Sequence, residues 1–192
     1  MIVVLFGPPG SGKGTQASRV AGTLGVPHVA TGDILRAEVA KGSALGAEVE
    51  PIMRSGRLVS DDLIVRVIEA RLAEPDARSG ALLDGFPRTV AQARALDAML
   101  VRNQRHVDAV ISLDVPDAEL QERVVKRAGV ERRADDTPEA FARRLQVYRD
   151  ETAPVLDWYS ANGTRIERVD GVGAIDAVTE RIVSALQAVR TP

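Results

Sequence analysis

Short apolar runs alternate along the chain with longer amphipathic ones. Ile2–Phe6 is uniformly apolar and predicts a strand buried on both faces. Pro27–Ala30, Ala81–Asp84, Val107–Leu113 and Thr164–Val169 read as four further strands. Between them, Gly14–Leu24, Asp61–Leu72, Val90–Leu100, Ala118–Arg127 and Ile175–Val189 carry apolar residues at helical spacing. Strand and helix alternate throughout, which predicts βαβ units: an α/β protein with a parallel sheet and helices on both faces. Thr89-Val-Ala-Gln92 and Asp136-Thr-Pro-Glu139 fit capping boxes at two helix starts. Pro154 should bend or break the long helical stretch after Asp136 near Ala153. Gly42–Ser60, rich in glycine, and Ala128–Asp136, short and charged, read as irregular.

Composition narrows the class. At 192 residues, 45% hydrophobic and 27% charged, the chain suits one compact domain. The net charge of −2 lacks the basic excess of a nucleic-acid binder, so cationic work falls to local clusters. Those clusters are arginine: 22 Arg stand against three Lys, at positions 13, 41 and 126. Arginine suits bidentate phosphate recognition, although genomic composition produces the same bias. The absence of cysteine excludes disulfides, thiolate zinc sites and a cysteine nucleophile. The first apolar run is short for a signal peptide, and no stretch approaches the ~20 apolar residues of a membrane span. A cytoplasmic protein is the expectation.

Ile2–Phe6 runs directly into Gly7-Pro-Pro-Gly-Ser-Gly-Lys-Gly-Thr15, which matches the G-x-x-x-x-G-K core of a P-loop. Phosphate oxygens require several backbone N–H donors pointing inward, and glycine lets the backbone curl tightly enough to supply them. The helix beginning near Lys13 turns its positive N-terminal end toward the same anion. Gly14 replaces the usual Ser or Thr after the lysine, so the magnesium-ligating hydroxyl is missing.

This loop resembles that of adenylate kinases and related nucleoside monophosphate kinases. Ala30-Thr-Gly-Asp-Ile-Leu-Arg36, Ser55-Gly-Arg-Leu-Val59 and Asp84-Gly-Phe-Pro-Arg-Thr89 with Gln92 are similar to that family's three acceptor-site segments, and the likeness continues through Arg123, Arg127, Arg133-Ala-Asp-Asp136 and Arg144 to the C-terminus. The resemblance implies a P-loop three-layer sandwich with a five-stranded parallel sheet in one domain: a core of 1–29, 60–127 and 137–192, an AMP-binding helical insert at 30–59, and a short lid at 128–136. It also implies phosphoryl transfer from ATP to AMP, giving two ADP. Gly10, Ser11, Gly12, Lys13, Gly14, Thr15, Arg123 and Arg127 would then bind ATP. Thr31, Gly32, Arg36, Arg57, Val59, Gly85, Arg88, Gln92, Arg133 and Arg144 would bind AMP. Lys13, Arg88, Arg127, Arg133 and Arg144 would be catalytic. Asp33 and Asp84 would hold waters of Mg²⁺ arriving with ATP; zinc, nucleic acid and membrane are not expected partners, and a monomer is.

The acceptor would be a phosphate oxygen, already anionic with a second pKa near ~6, so no general base is required. His28 and His106 are therefore expected to do no chemistry, and Trp158 and Tyr159 read as core. Gln92 is open to a capping role, a ligand role or both. A UMP/CMP kinase and a non-catalytic ATP sensor are the competing readings. Thr89, where pyrimidine kinases usually carry Asn, favours AMP.

Overall fold

The computed structural model describes residues 1–131 and 137–190. Its five strands are β1 (Ile2–Phe6), β2 (His28–Ala30), β3 (Ala81–Asp84), β4 (Ala109–Asp114) and β5 (Ile166–Asp170). All run parallel in the order β2-β3-β1-β4-β5. The central strand, β1, is apolar because both of its faces are covered. Ile2, Val4 and Phe6 join one core cluster; Val3 and Leu5 join another. This is the period-two alternation of a strand, here with no polar face.

The first face is covered by α4 (Asp61–Leu72), α5 (Val90–Arg102) and α8 (Ala153–Ala161), through Ile64, Ile68, Leu96, Val155 and Tyr159. The second face is covered by α1 (Lys13–Leu24) and α9 (Ile175–Arg190), through Ala17, Val20, Val178 and Ile182. The expected three-layer α/β arrangement is therefore present. Trp158 and Tyr159 belong to the core side: Tyr159 is buried, with its ring edge-on to Phe6 at 6.4 Å between centroids.

Three local expectations are corrected. Gly42–Ser60 is irregular only in part: after α2 (Thr31–Lys41) it forms α3 (Ala44–Arg54), and only Gly42, Ser43 and Ser55–Ser60 lie outside helices. The glycines there end and pack helices rather than break them. Gly42, at φ 65°, caps α2, and a Cβ on Gly46 would sit 2.3 Å from the Glu38 carbonyl oxygen. Only glycine permits that approach of α3 to α2. Next, α6 (Asp117–Glu131) runs past its expected end at Arg127, and the rest of 128–136 falls outside the described residues. Finally, α7 (Pro138–Val147) is capped by Thr137, whose hydroxyl accepts from the Ala140 N–H, so the box read from Asp136 and Glu139 is displaced by one residue. Near Ala153, where a bend or break is expected, the helical run is interrupted but not ended. Residues Tyr148–Thr152 form a π-helical turn, and α8 restarts with Pro154 in its first turn, where a missing N–H is harmless.

In this strand order the chain reverses its direction of progression around β1, between β3 and β4. Open parallel sheets form ligand crevices at the carboxyl ends of strands at such a switch point. The P-loop leaves β1 there, α2 leaves β2, and Asp84 ends β3.

Candidate active site

The loop after β1 is shaped by glycine. Gly10 and Gly12 adopt φ of 85° and 89°, the left-handed region. A Cβ on Gly10 would stand 2.9 Å from the Leu120 carbonyl oxygen, so a side chain there is excluded by sterics as well as by torsion. α1 begins at Lys13 with no acidic residue in its own first turn, so its positive end faces the loop. The Lys13 ammonium folds back over the loop and donates to the carbonyls of Gly7 and Pro8 at 2.5 and 2.9 Å.

The end of β3 faces this loop. Asp84 lies against the His28 Nε2 at 3.3 Å, both largely buried. Burial alone would push the Asp84 carboxyl up. The His28 hydrogen bond and the charges of Lys13 and Arg88 outweigh it and hold the group below the ordinary carboxylate range. Gly85, at φ 77°, turns the chain so that its carbonyl accepts from Thr31 Oγ1 and from Arg88 Nε, each at 2.8 Å. A Cβ there would meet Thr31 Oγ1 at 2.7 Å and Arg88 Nη2 at 2.8 Å. Thr152, from the π-helical turn, donates to the Arg88 carbonyl at 3.0 Å. Arg36 reaches back over Gly32 to Asp33 at 2.5 Å.

These groups surround a cavity of about 500 Å³. Gly10, Gly12, Lys13, Gly14 and Thr15 line one end; Gly32, Asp33, Arg36, Asp84, Gly85, Arg88 and Arg144 line the rest. A smaller cavity of about 100 Å³ adjoins it and shares Gly32, Arg36, Gly85, Arg88 and Arg144. Its further wall holds Thr31, Arg57, Val59 and Gln92 with the apolar Leu35, Met53 and Ile64. A cationic zone thus lies between a glycine loop and a recess of mixed apolar and polar lining, which suits a polyphosphate flanked by a partly apolar group.

Two expected residues stand outside both cavities. Ser11 is buried under the loop. Arg123 crosses behind it, donating to the Ser11 carbonyl at 3.2 Å and to the Gly171 carbonyl at 3.1 Å, with Glu119 at 2.9 Å. The Arg127 side chain and the whole of Arg133 lie outside the described residues. Several wall residues were missed. His28, Ser18, Tyr148 and Thr152 line the larger cavity, and Asp61 grips Gln92 from behind. His28 and Asp84 are 56 residues apart, so no local pattern announces their contact. Burial and nearby Asp114 push the Tyr148 phenol up to about 12, so it meets the cavity as a neutral hydroxyl.

A five-stranded parallel sheet with a glycine loop at its switch point, facing an arginine-lined second recess, defines an α/β protein of the P-loop nucleotide kinase fold. The adenylate kinase family model matches residues 5–164. An adenylate kinase of Stenotrophomonas maltophilia (strain K279a) is 52% identical over 188 residues, covering 98% of this chain and 100% of that protein. An adenylate kinase of Xanthomonas euvesicatoria pv. vesicatoria (strain 85-10) is 53% identical over 186 residues, 97% of this chain and 99% of its own. The chain belongs to the adenylate kinase family.

Proposed function

We infer that the protein catalyses reversible transfer of the γ-phosphoryl group of ATP to AMP, giving two ADP. The observation that carries this reading is the meeting of Lys13 and its loop with Arg36, Arg88 and Arg144 around one cavity that continues into a second recess. Two polyanions repel, and only concentrated positive charge in a water-poor cleft brings their phosphates within reacting distance. ATP phosphates take the amides of Gly10–Thr15 and the α1 N-terminus, with Arg123 and Arg127 beside them. AMP places its phosphate against Arg36 and Arg88 and its base in the recess of Thr31, Arg57, Val59 and Gln92. Lys13, Arg88, Arg144 and, from the lid 128–136, Arg133 balance the charge that develops on the transferred group. Residues 30–59 act as the AMP-binding insert, and the protein works as a monomer.

A magnesium ion fits the donor set. Asp84 is a largely buried carboxylate held ionised in the cavity wall, and a Cβ on Gly14 would lie 3.7 Å from its Oδ2. Hard cations with retained waters accept such outer carboxylates and draw other ligands from the substrate phosphates. Asp84, with Asp33 in the lining of the same cavity, would hold those waters. When bound, the ion neutralises phosphate charge and orients the phosphates. A nucleotide sensor without turnover has no use for a second arginine-lined subsite. No described helix is long and apolar enough to cross a membrane.

The direct test supplies purified protein with ADP and Mg²⁺ alone. ATP and AMP should appear in equal amounts. Nucleotide binding without ATP formation would remove the kinase reading and leave the sensor.

A further inference from the structure

Gln92 is 2% exposed and lines the acceptor recess, yet its amide is gripped on both ends. Its Oε1 accepts from the Arg88 backbone N–H at 2.7 Å. Its Nε2 donates to Asp61 Oδ1 at 2.7 Å. The other Asp61 oxygen accepts from Thr89 Oγ1 at 3.1 Å, and Thr89 Oγ1 in turn accepts from the Gln92 N–H at 3.1 Å. Asp61 opens α4, Thr89 caps α5 and Gln92 lies in the first turn of α5, so two helix ends are tied at this point.

A primary amide has two acceptor positions on oxygen and two donor hydrogens on nitrogen. Arg88 and Asp61 each take one, leaving one acceptor and one donor. The Watson–Crick edge of adenine offers the complement: an acceptor at N1 and a donor at the 6-amino group. A 6-oxo purine reverses that edge, with a donor at N1 and an acceptor at O6. A freely turning amide serves both, because half a turn about its last bond exchanges its oxygen and nitrogen. Gln92 is not free to turn. A backbone N–H can only donate and an ionised carboxylate can only accept, so reversal would set donor against donor and acceptor against acceptor.

We propose that Asp61 is a specificity-determining positioning residue: through Gln92 Nε2 it locks the amide in the one orientation that accepts a 6-aminopurine and refuses a 6-oxopurine. The proposal rests on the reading of the smaller cavity as the acceptor-base site. Asp61 itself does not line that cavity.

The test compares Asp61→Ala, Asp61→Asn and Gln92→Leu with the parent enzyme, using AMP and inosine monophosphate as acceptors at saturating ATP. Asp61→Ala should lower the AMP-to-inosine-monophosphate ratio of kcat/KM by about tenfold or more, the worth of one oriented base-edge pair. The loss should fall on the KM for AMP, with kcat at saturating AMP kept within about threefold. Asp61→Asn can donate or accept and should fall between parent and Asp61→Ala; it decides the matter if the alanine variant does not fold by circular dichroism. An unchanged ratio, or an equal rise in both KM values, overturns the lock. If Gln92→Leu leaves the KM for AMP unaltered, the acceptor-base reading itself fails. If it raises that KM while the Asp61 variants keep the parent ratio, only the lock fails.

Discussion

At the Lys13 end of the cleft, the lining groups come from one run of chain, with Gly10, Gly12, Lys13, Gly14 and Thr15 presenting mostly backbone. At the Gln92 end they come from α2, the turn after α3, the end of β3, the start of α5 and, through Arg144, α7. The first end is held by torsion: left-handed glycines and a helix start. The second is held by side chains that hold one another: Thr31 and Arg88 on Gly85, Asp61 on Gln92, Thr152 on Arg88. A backbone cradle recognises charge and tolerates variation in what the charge is attached to. A side-chain network recognises the shape and polarity of a particular base, and fails when any one link is moved.

The largest effect is expected at the cradle. Lys13→Met should lower kcat by about 10³-fold if, as proposed, its ammonium acts on charge in the transition state. A coupled assay checks this, and near-parent turnover would break the comparison at once. At the network end, Gly85→Ala demands a strained φ of 77° and drives a methyl into Thr31 and Arg88. The KM for AMP should rise about tenfold or more while that for ATP stays near the parent value. An equal rise in both would mean that the two ends are not separately built.

The smallest effect lies in the framework. Asp97 sits on α5, beyond Gln92, with Oδ1 buried and bonded to nothing among the described residues; burial raises its pKa. A carboxyl raised on folding adds stability that is complete below its unfolded value near ~3.9 and is lost as pH rises through the folded value. Asp97→Asn should therefore raise Tm at neutral pH, by about 2 °C, and leave it unchanged in acid. Asp84 runs the other way: its lowered pKa stabilises the native state above the unfolded value, and that contribution is lost as pH falls through the folded one. Thermal melts across pH, with AMP kinetics measured in parallel, separate framework from site.

What the sequence made legible follows the same division. β1 and the loop after it were plain because an apolar run, four glycines and a lysine are contiguous, and β3 and α4 were bounded correctly for similar reasons. α3 was hidden because Gly42, Gly46 and Gly56 look like breakers when each is in fact a cap or a close contact. Arg36, Arg88, Arg144 and Gln92 carry no local signal of convergence; family resemblance named them, and the fold shows what brings them to one cleft. Asp61 and His28 were missed because each acts through a partner at least 28 residues away.

One nucleotide subsite per end, in a single cleft, is the claim on which the rest depends. Titration calorimetry with two adenosines joined through five phosphates tests it. One molecule should bind per chain, displace both ATP and AMP, and bind more weakly to Lys13→Met and Gly85→Ala alike. Two molecules per chain, or binding that blocks ATP while AMP still enters, would contradict it.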